Sequence, residues 1–169
     1  NAWQMSMLQA IWGSSASDIF AVGYGMYDST GPILHYDGQK WSPMLSGTTL
    51  EFMGVWGSSS NHVFAVGMSG MILHYDGAKW AHMTSGTPKP LSAVWGSSAT
   101  DVIAVGVVGT VLHYDGVKWS PMTSGTTGTL LAVWGSSASD VFAVGHNGII
   151  HHYNGQKWSP MTSGTAQPL

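Results

Sequence analysis

Four histidines occupy one position of a repeated motif, and they are the first residues in the chain that could do chemistry. His35, His74, His113 and His152 each precede a tyrosine and an Asp-Gly or Asn-Gly pair. Imidazole is a common metal ligand, and four symmetric rings could surround one ion. Zinc–nitrogen bonds of about 2.0–2.1 Å would require the rings to meet at one point. The alternative is packing between neighbouring repeat units, with one ring nitrogen hydrogen-bonded.

Acidic residues are the second set of chemical candidates. Asp18, Asp101 and Asp140 follow Ser-rich turns, where a short acceptor suits turn capping better than general-base work. Glu51 is the single glutamate, and Asp28 lies in a segment that only the first repeat contains. A glycosidase needs two neighbouring carboxyl groups, so a glycoside-active enzyme is a remote alternative.

A third set of acidic or amide side chains stands in the repeated YDG and YNG turns. Asp37, Asp76, Asp115 and Asn154 are interpreted as turn residues, with weak calcium binding as the alternative. The chain has no Cys and no recognisable nucleophile, zinc or phosphate-binding motif. We therefore expect a protein that is not an enzyme and has no catalytic residue, cofactor or metal.

Tryptophans mark two further repeated positions. One set begins a WGSS motif: Trp12, Trp56, Trp95 and Trp134. Buried rings at such positions fill the space between neighbouring units, whereas exposed rings could hold sugars. The candidate ligand-binding residues are the other Trp set and three residues of the first repeat: Trp41, Trp80, Trp119, Trp158, Tyr24, Tyr27 and Asp28. Near-identical weak sites would add up by multivalency.

The spacing of these residues predicts the elements that position them. Trp56, Trp95 and Trp134 are separated by 39 residues each, whereas Trp12 and Trp56 are separated by 44. A period near 40 residues with Gly- and Ser-rich turns is typical of a β-propeller, one blade per repeat. We predict an all-β propeller of four four-stranded blades. They should span about 8–47, 48–86, 87–125 and 126–165, within a domain at 8–169 that follows a leader at 1–7.

The third repeat shows the expected strands A to D. Strand A is predicted at 91–95 with Leu91, Ala93 and Trp95 on one side, strand B at 101–106, strand C at 110–114 and strand D at 117–123. Asp115-Gly116 is typical of a two-residue type I′ turn between strands C and D. The repeated histidines then lie in strand C, third from the axis, and are too far apart to share one ion. This placement favours their packing role.

Length variation is concentrated in the connections on one face of the predicted propeller. The first repeat has five residues more than the others between Gly23 and Ile33, in the link from strand B to strand C. The other variable segment joins strand D to the next strand A. In an up-and-down blade both connections emerge on the same face. We therefore expect the insertion to distinguish the first blade functionally.

The composition favours a soluble protein that binds or assembles. Charged residues are 8% of the chain against a usual share of roughly 25%, and the formal net charge is −3. A basic track for nucleic acid is therefore missing. No apolar run reaches the roughly 18 residues of a membrane helix, so no membrane span is expected. A surface of Ser, Thr, Gly and Asn is easily desolvated, which suits assembly or sugar binding.

The repeat motif resembles a known kind of propeller. The segment VWGSSASDVFAVG, followed by G[TI]xxHYDGxKW, is similar to the repeat of secreted β-propellers from myxobacteria and related environmental bacteria. Its hairpin also resembles the Asp-box hairpins of other propellers and the HxxDGxxW blades of bacterial propeller lectins. The resemblance covers Leu8 to Thr165. It implies the fold and, through the lectins, sugar pockets between neighbouring blades at the repeated Trp and His positions.

The way the ring closes stays open at this point. The leader AWQMS echoes the strand-D motif KWSPMTS, so we expect an assembly contact at Trp3, Gln4 and Met5. The alternatives are a four-bladed monomer, two chains in an eight-bladed ring, and an open polymer. We expect a non-enzymatic module, outside the cell or at its surface, that self-associates through its terminal blades. The alternative is a lectin whose partner is a glycan.

Overall fold

The computed structural model describes residues 6–25 and 33–164, which form sixteen strands and two short 3-10 segments. The strands of the first two repeats are β1 (Ser6–Ser15), β2 (Asp18–Gly25), β3 (Ile33–Tyr36), β4 (Trp41–Met44), β5 (Phe52–Ser59), β6 (His62–Gly67), β7 (Ile72–Tyr75) and β8 (Trp80–Met83). Those of the last two are β9 (Leu91–Ser98), β10 (Asp101–Gly106), β11 (Val111–Tyr114), β12 (Trp119–Pro121), β13 (Leu130–Ser137), β14 (Asp140–Gly145), β15 (Ile150–Tyr153) and β16 (Trp158–Met161). The 3-10 segments are Met68–Gly70 and His146–Gly148.

The strands form four separate antiparallel sheets, each with four consecutive strands in sequence order. Blade 1 is β1–β4, blade 2 is β5–β8, blade 3 is β9–β12 and blade 4 is β13–β16. The predicted four four-stranded blades of a β-propeller are thereby confirmed. The first strand starts at Ser6, so it takes in the last two residues of the predicted leader.

A β-bulge in the innermost strand changes which side chains share a face. In blade 3, Ala93 pairs with Val105 and Leu91 pairs with Gly106, so Ser92 is an extra, unpaired residue. The bulge turns Leu91 to the same side as Val94, which packs towards blade 2, while Ala93 and Trp95 pack towards blade 4. The predicted placement of Leu91 beside Trp95 was therefore wrong. The same bulge interrupts the innermost strand of every blade.

The turn between the last two strands of each blade is longer than predicted. In blade 3 it spans residues 115–118, and the Asp115 N–H donates to the Lys118 carbonyl at 3.3 Å. The Asp115 carboxylate accepts the backbone N–H groups of Val117 and Lys118, both at 2.9 Å. Gly116 has φ 92°, and none of its neighbours in the turn has positive φ. A type I′ turn needs two positive φ angles, so that prediction was wrong.

Neighbouring blades interlock through a tryptophan and a glycine. An added Cβ at Gly96 would lie 2.5 Å from the Cη2 atom of the Trp56 indole, which crosses from the preceding blade. Only a residue without a side chain leaves room for the ring at this distance. All three interfaces inside the chain have this contact: Trp12 over Gly57, Trp56 over Gly96 and Trp95 over Gly135.

A second tryptophan strengthens each interface from the other side. Trp80 of blade 2 places its Nε1 3.5 Å from the Met44 sulfur of blade 1, and its ring meets Phe20 edge-on at 6.1 Å. Trp119 of blade 3 meets Phe64 of blade 2 in the same way, at 5.7 Å. Sulfur–aromatic and edge-to-face contacts add to the free energy gained by burying these rings.

The four blades form an open arc. Among the described residues, extensive contacts between strands of different blades join only consecutive blades. Three apolar clusters fill the spaces between blades 1 and 2, 2 and 3, and 3 and 4. Blade 1 and blade 4 therefore each keep one broad face without a neighbouring blade.

The interlocking contact predicts a difference between two tryptophans that occupy the same position of the repeat. Trp95→Ala should lower the free energy of unfolding by about 3 kcal/mol, because the ring fills the interface over Gly135. Trp134→Ala is the matched control, since this ring lies 61% exposed, and it should cost under about 1 kcal/mol. Urea unfolding at concentrations where the chain is monomeric measures both values. Equal losses would contradict the open arc.

Candidate functional site: the two end faces of the arc

The uncovered face of blade 1 consists of apolar residues whose equivalents in blade 2 are buried. Leu8 is 52% exposed, Ile11 66% and Trp41 44%. Their equivalents in blade 2 are Phe52, Val55 and Trp80, which are 0%, 8% and 8% exposed because blade 1 covers them. We call this surface the socket face, and its residues are Leu8, Ile11, Gly13, Ile19, Leu34, Tyr36 and Trp41.

The uncovered face of blade 4 is of the opposite kind. Trp134 is 61% exposed, Met161 48% and Val144 37%. The residues equivalent to Val144 in blades 1 and 2 are Val22 and Val66, both fully buried against the following blade. We call this surface the knob face, and its residues are Trp134, Phe142, Val144, Ile150 and Met161.

Among the described residues, no tryptophan lies over Gly13 on the socket face. A Cβ added there would meet the Asp18 carbonyl at 3.0 Å, the Ile19 Cγ1 atom at 3.1 Å and the Ser15 carbonyl at 3.4 Å, all within blade 1. At Gly57, Gly96 and Gly135 the added atom would collide with an indole of the preceding blade. The socket face thus has the glycine of the interlocking contact, and the knob face has the tryptophan.

Three of the four repeated histidines are bound within their own blade. The Nε2 atom of His35 lies 2.7 Å from Asp18 Oδ1, and the same contact joins His113 to Asp101 at 2.7 Å and His152 to Asp140 at 2.8 Å. The second oxygen of each carboxylate accepts a hydrogen bond from a serine hydroxyl near the end of the preceding strand: Ser14, Ser97 and Ser136 respectively. One ring nitrogen of each histidine is bonded, as predicted, but its partner lies in the same blade and not in the neighbouring one.

The order of the three groups argues against hydrolytic chemistry. A catalytic serine needs a histidine base beside it, with the carboxylate behind the histidine. Here the carboxylate stands between the serine and the histidine. The hydrogen bonds from Ser136 and then His152 lower the pKa of the Asp140 carboxyl, which holds the Asp as an anion. The network ties the first turn of the blade to its third strand.

Blade 2 breaks this network. His62 takes the position of the aspartate, and its ring centroid lies 4.4 Å from that of His74. The Nδ1 atom of His62 and the Nε2 atom of His74 are buried and have no hydrogen-bond partner in the part of the chain that the structure describes. Burial lowers the pKa of both histidines, and the neighbouring imidazole of His62 lowers that of His74 further. Both rings are therefore neutral at pH 7.

The aspartates of the last turn in blades 1, 2 and 3 accept hydrogen bonds from the backbone of that turn. The pKa of Asp37 is lowered mainly by hydrogen bonds from the backbone N–H groups of Lys40 and Gln39. Asp76 and Asp115 have the same arrangement and a lowered pKa, which supports their predicted role in the turn. Within residues 6–25 and 33–164, no group of three or more acidic or histidine side chains is arranged to hold a metal ion.

The structure places the tryptophans proposed for ligand binding at the blade interfaces. Trp80, Trp119 and Trp158 are 8%, 6% and 6% exposed, each covered by the preceding blade. Trp41 has the same position in the repeat but belongs to the uncovered socket face. This burial favours the packing interpretation, and contact of these rings with a ligand stays a prediction.

The remaining predicted site residues lie in or next to parts of the chain outside the described residues. Tyr24 is described, and its hydroxyl donates to the Met7 sulfur at 2.8 Å. Tyr27 and Asp28 of the insertion fall outside the described residues. So do Trp3, Gln4 and Met5, the predicted assembly contact.

A cleft opens between blades 2 and 3 on the face that carries the variable connections. Its volume is about 280 Å³, and Ser85, Thr87, Gly109, Thr110 and Met122 are among its lining residues. The Gly109 N–H crosses towards blade 4 and donates to the Gly128 carbonyl at 2.8 Å. The cleft is lined partly by polar groups and lies away from the buried tryptophans.

The sequence-based prediction missed the residues that distinguish the end faces. Leu8, Ile11, Gly13, Trp134 and Met161 were treated as ordinary members of the repeat. The signal that could have found them is the order of the contact. If each WGSS tryptophan covers the glycine of the next repeat, a row of four repeats that does not close on itself leaves its first glycine and its last tryptophan unmatched within the row.

Comparisons with solved structures find similar propellers. The chain superimposes on "YCF48 bound to D1 peptide" with a TM-score of 0.74 at 17% identity, over 100% of this chain and 59% of that one. YCF48 from Cyanidioschyzon merolae gives a TM-score of 0.70 at 17% identity, over 92% of this chain and 56% of that one. At this identity the likeness shows the β-propeller fold alone. The chain spans less than two thirds of the length of either structure.

Comparisons at the level of sequence find no relative. No family model matches the chain, and no curated protein matches it. The specific secreted bacterial repeat type therefore stays a proposal. The described residues contain no helix that is long and apolar enough to cross a lipid bilayer.

The histidine pair of blade 2 predicts a pH effect with a defined sign. Because burial lowers the folded-state pKa of His62 and His74 below 6.5, the unfolded chain binds more protons below that pH. Stability is therefore unaffected by these groups well above pH 6.5 and falls as the pH drops from 6.5 through their lowered folded-state pKa values. His62→Asp restores the pairing of the other blades and should raise the pKa of His74. NMR titration of the His74 ring checks this, and an unchanged pKa would contradict it.

Proposed function

We propose that the chain is a non-enzymatic, extracellular binding and assembly module that associates with copies of itself through its terminal blades. The observation that carries this proposal is the exposure of the socket and knob faces. Contiguous apolar surface of this kind on a soluble protein marks an interaction site. The exposed residues here are those that the same chain buries wherever a neighbouring blade is present.

The absence of charge on these faces supports the same proposal. Neither face contains a Lys, an Asp or a Glu, and charged residues are only 8% of the whole chain. Association therefore desolvates few ionic groups, and the burial of apolar area is opposed by little electrostatic cost. The outermost strands of the blades are less suited to association than the end faces. Three of the four contain a proline: Pro43, Pro121 and Pro160. Proline removes a backbone donor and disfavours pairing there.

The structural neighbours support a role in binding rather than catalysis. YCF48 is a propeller described in complex with a D1 peptide. A propeller that holds a peptide supports a binding role for a chain with the same fold. The Ser–Asp–His networks lack a nucleophile–base contact, which also favours a non-enzymatic role.

The proposed extracellular location has its support in the composition and the repeat. A surface of Ser, Thr, Gly and Asn with few charges suits a secreted assembly or surface protein. The VWGSSASDVFAVG repeat resembles that of secreted bacterial propellers. We propose the location and the repeat type together.

The leader adds a proposed contact next to the socket face. Residues 1–5 immediately precede β1, whose Leu8 and Ile11 belong to that face. We propose that Trp3, Gln4 and Met5 contribute to self-association. Removing residues 1–5 leaves β1 complete and should weaken association, measured as a shift of native mass towards one chain. An unchanged mass profile would exclude the leader from the contact.

A glycan-binding lectin is the second candidate function. The cleft of about 280 Å³ between blades 2 and 3 is concave and partly polar, as a sugar site must be. Its position on the same face as the variable connections favours recognition over packing. The burial of Trp80, Trp119 and Trp158 argues against sugar platforms at those rings. Retention of the chain on a column of immobilised neutral sugar would support the lectin, and elution without retention would favour the assembly module.

Native mass as a function of concentration tests the assembly proposal. One chain has a mass of 17.9 kDa. We expect the mass to rise above that value as concentration increases, because the end faces become covered. Analytical ultracentrifugation over a hundredfold range of concentration measures the change. A constant mass of one chain at every concentration would overturn self-association and leave the lectin as the better candidate.

A further inference from the structure

We propose that two copies associate head to tail, with the knob face of one copy seated on the socket face of the next as blades are seated inside the chain. This inference deepens the proposed self-association and rests on it. The described interfaces supply the template for the contact. Trp134 of one copy would lie over Gly13 of the next, as Trp12 lies over Gly57.

A second contact has the same template. Inside the chain, the Nε1 atom of Trp80 lies 3.5 Å from the Met44 sulfur of the preceding blade. The residues equivalent to this pair at the two ends are Trp41, 44% exposed, and Met161, 48% exposed. Head-to-tail docking brings Met161 of one copy onto the Trp41 indole of the next. Trp41 is then covered by a methionine and Met161 by a tryptophan, as Trp80 and Met44 cover each other inside the chain.

Phe142 supplies a third contact on the knob face. Its equivalents Phe20 and Phe64 are 1% and 0% exposed, and each meets a tyrosine and a tryptophan of the following blade. Phe142 is only half-buried, because none of the four described blades packs on this side of blade 4. Tyr36 and Trp41 on the socket face are the corresponding aromatic pair. Together the three contacts specify one register between the copies.

A symmetric contact between like faces does not satisfy these requirements. Two socket faces bring together two glycine positions without a tryptophan to fill them. Two knob faces bring together two indoles without a glycine opposite either. A head-to-tail contact is heterologous, so it produces a closed ring or an open fibre and leaves complementary faces on every incomplete assembly.

Two single variants and their mixture test the orientation. Ile11→Asp places a charge on the socket face, and Trp134→Asp places one on the knob face. Both side chains are exposed in one copy, at 66% and 61%, so each variant should fold. Val117→Asp, at a turn position that is 83% exposed and outside both faces, is the control for added charge.

Head-to-tail docking predicts one result for each sample. At a concentration where the unmodified chain and Val117→Asp associate, each face variant alone should have the mass of one chain. An equimolar mixture should form a dimer of twice that mass, since one intact knob face meets one intact socket face. Circular dichroism should match that of the unmodified chain.

The other outcomes separate the two proposals. If Trp134→Asp alone still associates while Ile11→Asp does not, two socket faces pair and the head-to-tail orientation is overturned. The reverse pattern means that two knob faces pair, and it overturns the orientation as well. If the mixture stays at the mass of one chain, the orientation also fails. If the unmodified chain never associates, the proposed self-association itself fails.

Discussion

The structure depends on one contact, an indole that lies over a backbone without a side chain. Each inner tryptophan crosses from its blade to the next, where a glycine leaves the space that the ring occupies. The contact has a direction, because one blade provides the ring and the next provides the gap. An open row of such blades therefore has one glycine without a ring over it and one ring without a glycine beneath it. In the four described blades these are Gly13 and Trp134.

A polar network lies at the same end of blades 1, 3 and 4 as the glycine. The aspartate that begins the second strand binds a serine near the end of the first strand and a histidine of the third strand. It therefore fixes the start of the second strand relative to the third, at the end of the blade where the glycine lies. Blade 2 has His62 in place of the aspartate and still forms all four strands. Apolar packing across the interfaces is therefore sufficient to maintain a blade that lacks the network.

The architecture could be predicted from the sequence, because the same pattern of strands and turns occurs in four repeats. The period, the four strands per blade and the bounds of β10 follow from turn residues and alternating apolar positions. The histidines were assigned a packing role from their distance to the axis. The aspartates were assigned to turns from their chemistry, and three of them prove also to bind the repeated histidines.

The sequence-based prediction was wrong or incomplete at three features: the bulge in the innermost strand, the length of the last turn and the uncovered end faces. Strict alternation of side chains placed Leu91 on the same face as Trp95. The bulge at Ser92 moves Leu91 to the opposite face, and the residues of this strand do not indicate a bulge. The Asp-Gly pair suggested a two-residue turn, whereas the Asp carboxylate closes a longer one. The end faces were missed because a repeat pattern describes what blades share, not which blade lacks a neighbour.

Chemical footprinting of the tryptophans tests the open arc and its covering most directly. At dilution, Trp134 and Trp41 should be oxidised by hydroxyl radicals much faster than Trp95 and Trp119. On raising the concentration, only Trp134 and Trp41 of these four should become protected. Protection of Trp134 in a single chain would show that the arc closes on itself. Association that leaves Trp134 and Trp41 unprotected would show that copies meet elsewhere, and it would contradict the account.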